Sequence, residues 1–135
     1  MQSASLRLAL AFLLGLLSVG IPFWMLPYSE VIVPNAFLGT GLMVVFMLAF
    51  LLRFGAMASF LQAANVMALT FPLALMLRVG VEMLQDPSRH SAWLLMLAVV
   101  LCMGYLTALA GAGLGKLVRW LSDYETVWFE RKDRS

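Results

Sequence analysis

Four long apolar stretches dominate this sequence and limit what the chain can fold into. They cover approximately residues 8–28, 33–52, 54–80 and 90–118, and charged residues lie only near their ends. A helix that crosses a bilayer needs about 20 mostly apolar residues, and each stretch reaches that range. None alternates with the period of two that a barrel strand requires, and only helices or closed barrels satisfy the backbone in lipid. The sequence therefore predicts an all-α, polytopic membrane protein, a bundle of four transmembrane helices.

The overall composition supports lipid as the main surroundings of the chain. The sequence has 135 residues, of which 63% are hydrophobic and 12% charged, and its mean hydropathy is +0.94. Soluble domains are about 45–50% apolar and about 25% charged, and a small domain buries only about two thirds of its surface. The expected partner is the lipid bilayer. The net charge of +2, with no basic stripe away from the membrane, does not indicate nucleic acid.

The distribution of basic residues predicts the orientation of the spans. If both termini are cytoplasmic, Arg78 and Arg89 lie outside and the other seven of the nine Lys and Arg residues lie inside. Because cytoplasmic loops are enriched in these residues, we expect a multi-pass protein of a bacterial inner membrane with both termini in the cytoplasm. Residues 1–121 would form the membrane domain, and residues 122–135 a short amphipathic cytoplasmic tail. The seven inside residues are Arg7, Arg53, Lys116, Arg119, Arg131, Lys132 and Arg134.

A ladder of polar residues separates the third and fourth stretches. Arg78, Glu82, Asp86 and His90 recur every fourth residue, the spacing that aligns side chains on one helical face. One interpretation is a turn at the water boundary, in which Asp86 caps the fourth helix and Pro87 occupies its first position. The other is an outer vestibule that binds a partner, an ion or an anionic ligand. Both interpretations allow Arg78 and Glu82 to pair.

The third stretch carries polar residues within its apolar sequence. Gln62 and Asn65 are three residues apart, so we expect both amides to face neighbouring helices and form interhelical hydrogen bonds. Pro72 cannot donate to the carbonyl of Ala68 and should bend the helix. The alternative is that Gln62, Asn65 and Pro72 line a polar path for a solute.

Small residues predict close helix packing in the fourth stretch. They form two series with a spacing of four, and small side chains at this spacing let two membrane helices approach closely. The contact could lie within the bundle or with another subunit. Cys102, the single cysteine, is expected to be a small buried hydrophobe. The two series are Gly104, Ala108 and Ala112, and Thr107, Gly111 and Gly115.

The C-terminal segment combines aromatic and charged residues. Trp120, Tyr124 and Trp128 recur every fourth residue among acidic and basic neighbours. This pattern is typical of an anchor at the membrane surface, and the alternative is a docking site for a cytoplasmic partner.

Motifs for catalysis are not found in the sequence. There is no G-x-S-x-G elbow or H-E-x-x-H pair, and one histidine with one cysteine does not make a usual metal cage. We expect no metal, no cofactor and no enzyme activity. The leading hypothesis is an accessory or assembly subunit of a larger membrane complex, in contact with other membrane subunits or with itself. The alternative is a small homo-oligomeric transporter or channel for a small solute.

Overall fold

The computed structural model of the protein describes residues 2–25, 39–86 and 93–135. Within these ranges the chain is helical and contains no strand, so the all-α prediction is confirmed for them. The five helices are α1 (Gln2–Met25), α2 (Thr40–Phe54), α3 (Phe60–Ala68), α4 (Thr70–Gln85) and α5 (Trp93–Asp133).

Three of the helical segments are long and apolar enough to cross a membrane. They are Ser3–Met25, Phe60–Gln85, which joins α3 to α4, and Trp93–Asp133. α2 is apolar but has 15 residues, which gives a length of about 22 Å against about 30 Å of hydrocarbon. The part of the second predicted stretch that precedes Gly39 lies outside the described residues.

α5 packs closely along α2, and both helices run in the same direction. Gly111 lies against the carbonyl oxygen of Phe46, and Gly115 lies against that of Phe50. A Cβ atom at Gly115 would stand 2.6 Å from the Phe50 oxygen, and one at Gly111 would overlap the Phe46 oxygen. The absence of a side chain therefore lets the two backbones touch, which is how small residues bring membrane helices together.

The α3–α4 segment packs against α5 in the opposite direction. Gly104, near the start of α5, lies beside Phe71, whereas Lys116, further along α5, lies over the ring of Phe60. Residue numbers therefore increase in opposite directions along the two segments, which are antiparallel.

Pro72 explains the interruption between α3 and α4. The two helices are separated at Leu69, and Pro72 has no N–H for the carbonyl of Ala68. Gly104 comes close to that carbonyl: a Cβ atom on the glycine would lie 2.7 Å from the Ala68 oxygen. The Cα–H group of Gly104 therefore faces the oxygen that lacks its helical donor, a weak but recurrent contact at helix interfaces.

The same arrangement occurs where α1 meets α2. Pro22 lies inside α1 and leaves the Ser18 carbonyl without its helical donor. A Cβ atom on Gly41 would lie 3.1 Å from the Ser18 oxygen. Gly15, earlier in α1, lies near Leu48, later in α2, so these helices are antiparallel. At both Pro22 and Pro72, a glycine of a neighbouring helix thus faces the carbonyl that lacks its helical donor.

α1 also packs against α4, and here the two helices are parallel. Gly15 lies near Thr70, and Trp24 lies near Ala74. Residue numbers therefore increase in the same direction along α1 and α4. Consecutive segments α1, α2, α3–α4 and α5 therefore alternate in direction. The beginning of α1, the end of α2, the beginning of α3 and the charged part of α5 lie towards one end of the bundle.

The structure corrects the predicted start of the third stretch, 54–80. α2 continues through Phe54, and α3 begins only at Phe60. Ser59 caps α3, because its hydroxyl accepts the N–H of Gln62 and its own N–H donates to the Gln62 side chain, both at 3.2 Å. This reciprocal capping box fixes the helix start, and the residues before it reverse the chain.

Apolar side chains fill the space between the helices. Residues of all five helices contribute to the core, and aromatic rings from α1 and α4 are among the most deeply buried groups. The largest fully buried side chains are Phe23, Phe71, Met67, Val45, Val100 and Thr70.

Candidate functional site

The charged pair near the end of α4 lies mostly inside the bundle. Arg78 Nε donates to Glu82 Oε1 at 2.6 Å, and each side chain is only 10% exposed. The spacing of four residues places the two side chains one above the other on the helix. Arg78 and Glu82 therefore pair, as the sequence allowed, and their contact is largely buried.

The last turn of α1 also contacts this pair. Arg78 Nη1 donates to the carbonyl oxygen of Phe23, and the guanidinium carbon lies 4.8 Å from the centroid of the Phe23 ring. The guanidinium therefore contacts a carboxylate, a carbonyl and an aromatic face, three partners that suit its charge and planar shape. Neighbouring Trp24 donates its indole N–H to the Ala74 carbonyl at 3.1 Å. These contacts tie the end of α1 to α4.

Sequence reasoning did not identify Phe23 and Trp24 as partners of α4. The hydrogen bonds join residues 50 and 55 positions apart, a separation at which no helical periodicity operates. One local signal exists, because a Cβ atom on Gly20 would lie 2.7 Å from the Trp24 ring. Glycine one turn before a tryptophan leaves room for the indole to lie along the helix.

The remaining members of the polar ladder are only partly described. Asp86 ends α4 in an extended conformation, and its N–H donates to the Glu82 carbonyl at 2.9 Å. The predicted cap of the fourth helix involves Pro87, which lies outside the described residues, as does His90. The structure therefore brings together Arg78 and Glu82, with Asp86 one turn beyond them.

The structure corrects the predicted orientation of the polar residues in α3. The buried face of α3 consists of Ala63, Ala64, Met67 and Ala68. Gln62 and Asn65 are exposed, and the Gln62 side chain is occupied by the capping box with Ser59. The two amides do not face the neighbouring helices of this chain, because the tighter alanine face provides the contact with α5. Pro72, by contrast, is buried, so the three residues do not line one interior path within the single chain.

The six small residues of α5 all lie on its buried face. Its glycines bring α5 against α2 and α3. The hydroxyl of Thr107 donates to the Met103 carbonyl at 2.8 Å, so this buried polar group is satisfied within the helix. Cys102, expected to be buried, is exposed. It lies two residues from Gly104 and therefore on the opposite side of the helix. The buried residues of the face are Gly104, Thr107, Ala108, Gly111, Ala112 and Gly115.

Two basic residues lie near the other end of the bundle. Lys116 Nζ lies 5.9 Å from the centroid of the Phe60 ring. The Nε atom of Arg53 is buried and lacks a hydrogen-bond partner among the described residues. Lys116 of α5 therefore lies beside the start of α3, and Arg53 lies near the end of α2.

Beyond this basic end, α5 continues as an exposed helix. Trp120, Tyr124 and Trp128 are all exposed, and the rings of Trp120 and Tyr124 stack with centroids 5.9 Å apart. On another side of the helix, Arg119 Nε lies 3.9 Å from Asp123 Oδ2, in a pair that is largely solvated. The predicted tail is thus continuous with the apolar part of α5.

Comparisons with other proteins do not assign this chain to a family. No family model, curated protein or solved structure matches the chain. Among the described residues, no group of three or more His, Cys, Asp and Glu side chains is placed to hold a metal ion.

Proposed function

We propose that this protein is a small, non-enzymatic accessory or assembly subunit of a larger complex in a bacterial inner membrane. In this proposal it crosses the membrane four times, with α2 belonging to the second crossing, and both termini are cytoplasmic. Its role is to hold neighbouring subunits through its outer surfaces, since its interior is already filled.

The filling of the interior is the observation that carries this proposal. Large apolar side chains occupy the space between the described helices. The polar residue Thr70 is also fully buried, and its hydroxyl donates to the Met67 carbonyl at 2.6 Å. The buried charges of Arg78 and Glu82 neutralise each other. Ionisable groups deep in a membrane usually mark ion or proton pathways, and the charged residues among those described lie near the ends of the apolar stretches.

The proposed orientation is supported by the alternating helix directions. The end of the bundle where α1 begins and α2 finishes carries Arg7 and Arg53, and Lys116 of α5 lies at the same end. Arg78 lies towards the opposite end. A basic end of this kind prefers the cytoplasmic side.

Purification in mild detergent from native membranes tests the accessory role. The tagged protein, expressed from its own locus, should bring down at least one membrane protein in a constant ratio, measured by native mass spectrometry. A tagged, unrelated four-helix membrane protein at the same abundance is the control. A single species containing this chain alone would contradict the proposal.

A homo-oligomeric transporter or channel is the second candidate, and one observation favours it. Gln62 and Asn65 are exposed on the outside of a segment long enough to span a membrane. An amide that faces hydrocarbon is costly, so another subunit is a more favourable neighbour than lipid. Copies arranged in a ring would bring these amides to a shared path.

Solute flux into liposomes tests this second candidate. Asn65→Leu should abolish flux, whereas Asn65→Gln, which keeps the amide, should retain part of it. Equal flux in wild type and Asn65→Leu would remove Asn65 from any path.

A further inference from the structure

The exposed part of α5 carries an apolar stripe with a regular spacing. Its residues are separated alternately by three and four positions, and each is between 43% and 58% exposed. This alternation gives a mean period of 3.5 residues, the period of the a and d positions in a left-handed coiled coil. The stripe consists of Leu114, Leu117, Leu121, Tyr124 and Trp128.

In the membrane orientation proposed above, the distal half of this stripe would lie beyond the reach of the membrane surface. Lys116 is level with the start of α3, because it contacts Phe60, and α5 continues from there to Asp133 without Pro or Gly. Trp128 is therefore about 18 Å further along the helix. A helix that binds a membrane surface is buried only about 5–10 Å into the headgroup boundary. With the membrane boundary at the level of Lys116, Trp120 would lie within that distance, and Tyr124 and Trp128 would extend into the aqueous compartment.

We propose that this stripe pairs with the same stripe of a second copy, as a parallel two-stranded coiled coil. Two copies inserted in one membrane have the same orientation, so their α5 extensions are parallel and equivalent residues meet at the same height. Identical surfaces related by a twofold axis form a closed dimer. Anchoring in the membrane also raises the effective concentration of the two short helices, which compensates for the small number of heptads.

The positions of the charges fit pairing between identical chains. With Leu114, Leu121 and Trp128 at a positions, Lys116, Arg119, Asp123, Glu130 and Asp133 occupy c and f positions, away from the contact. Arg131 would occupy the next d position, and it lies beyond the end of the stripe. The ion pair between Arg119 and Asp123 lies on this outer face.

The residues flanking the stripe also avoid repulsion. Val118 and Glu125 occupy e positions, and Trp120 and Val127 occupy g positions. In a parallel pair, each g residue faces the e residue five positions later on the other chain. Glu125 therefore meets Trp120 rather than another carboxylate.

Disulfide cross-linking of the full-length protein in liposomes of phosphatidylethanolamine and phosphatidylglycerol tests this dimer. Cys102 is first replaced by Ala because it is exposed. On that background, Leu121→Cys places a thiol at an a position, and Thr126→Cys places one on the outer face as a matched control. Facing a positions bring the two Cβ atoms close enough for a disulfide, which needs about 4 Å. We expect Leu121→Cys to form dimers at least about tenfold faster than Thr126→Cys, because the f positions point apart.

A disruptive substitution and a depth measurement complete the test. Adding Leu117→Asp to Leu121→Cys should reduce the rate to that of the control, and a spin label at Val127→Cys, which flanks the stripe, should be accessible to a water-soluble relaxation agent. Equal cross-linking at positions 121 and 126 would overturn the dimer. So would a membrane-like accessibility profile at position 127, which would assign the stripe to the bilayer. The dimer rests on the membrane orientation proposed above but not on the accessory role, since cross-linking uses the purified chain and co-purification does not.

Discussion

Arg78 and Glu82 form an ion pair that is held between two helices: Nε and Oε1 are 2.6 Å apart, and each side chain is 10% exposed. The guanidinium also contacts the carbonyl and the ring of Phe23. A carboxylate and a guanidinium that are both removed from water stabilise each other only while both are present. The pair therefore behaves as one structural unit between α1 and α4.

Glu82→Ala should destabilise the protein by about 3 kcal/mol, because it removes a carboxylate that lies 2.6 Å from the largely buried Arg78 guanidinium. Asp123→Ala is the matched control, since it breaks a pair with the same spacing but in a solvated position. Exposed pairs contribute about 0–1 kcal/mol. The free energies of unfolding are measured by denaturation in detergent. Equal losses in the two variants would show that the Arg78–Glu82 pair is not buried in solution.

Gly111→Ala should destabilise the bundle by about 1–3 kcal/mol, because the new methyl group would overlap the Phe46 carbonyl and force α2 away from α5. Gly80→Ala is the control, because a Cβ atom at Gly80 would meet nothing within 4 Å. There the helix propensity of alanine should leave stability unchanged or raise it by up to about 1 kcal/mol. Thermal unfolding followed by circular dichroism measures both. A stabilised Gly111→Ala variant would contradict the close approach of the two helices.

Trp24→Phe should cost about 1 kcal/mol of stability, because it removes the donor that bonds to the Ala74 carbonyl and leaves most of the ring. Trp120→Phe keeps an exposed ring beside Tyr124, so we expect a change within about 0.5 kcal/mol. Chemical denaturation in the same detergent compares them. If Trp120→Phe were the more destabilising substitution, the indole of Trp24 would not be tying α1 to α4.

Reporter fusions test the proposed orientation. Green fluorescent protein fused after Ser135 should fluoresce, and alkaline phosphatase at the same position should be inactive, because the basic end of the bundle favours the cytoplasm. Alkaline phosphatase fused after Asp86 should be active, since α4 ends towards the opposite side. Active phosphatase after Ser135 would reverse the orientation or change the number of crossings.

Features that depend on spacing within one helix were accessible from the sequence. The six small residues of α5 share a face because they recur every four positions, and the structure places all six in the interior. Arg78 and Glu82 are likewise one turn apart, so their contact follows from helix geometry.

The sequence did not show which of two possible faces of a helix is buried. α3 has a polar face with Gln62 and Asn65 and an alanine-rich face, and periodicity identifies both equally well. Interhelical hydrogen bonding would favour turning the amides inward. Close backbone contact with α5 instead turned Ala64 and Ala68 inward, because only small side chains fit between helices at that distance.

Helix formation, and the ability of three described segments to span a membrane, follow from the sequence because hydrophobicity and helical period are local properties. The docking of Phe23 and Trp24 on α4, and the approach of glycines to the carbonyls freed by Pro22 and Pro72, depend on the tertiary structure. These contacts join residues distant in the chain, and their geometry depends on how whole helices pack. The period of the pattern places residues on a face, but packing selects which face is buried.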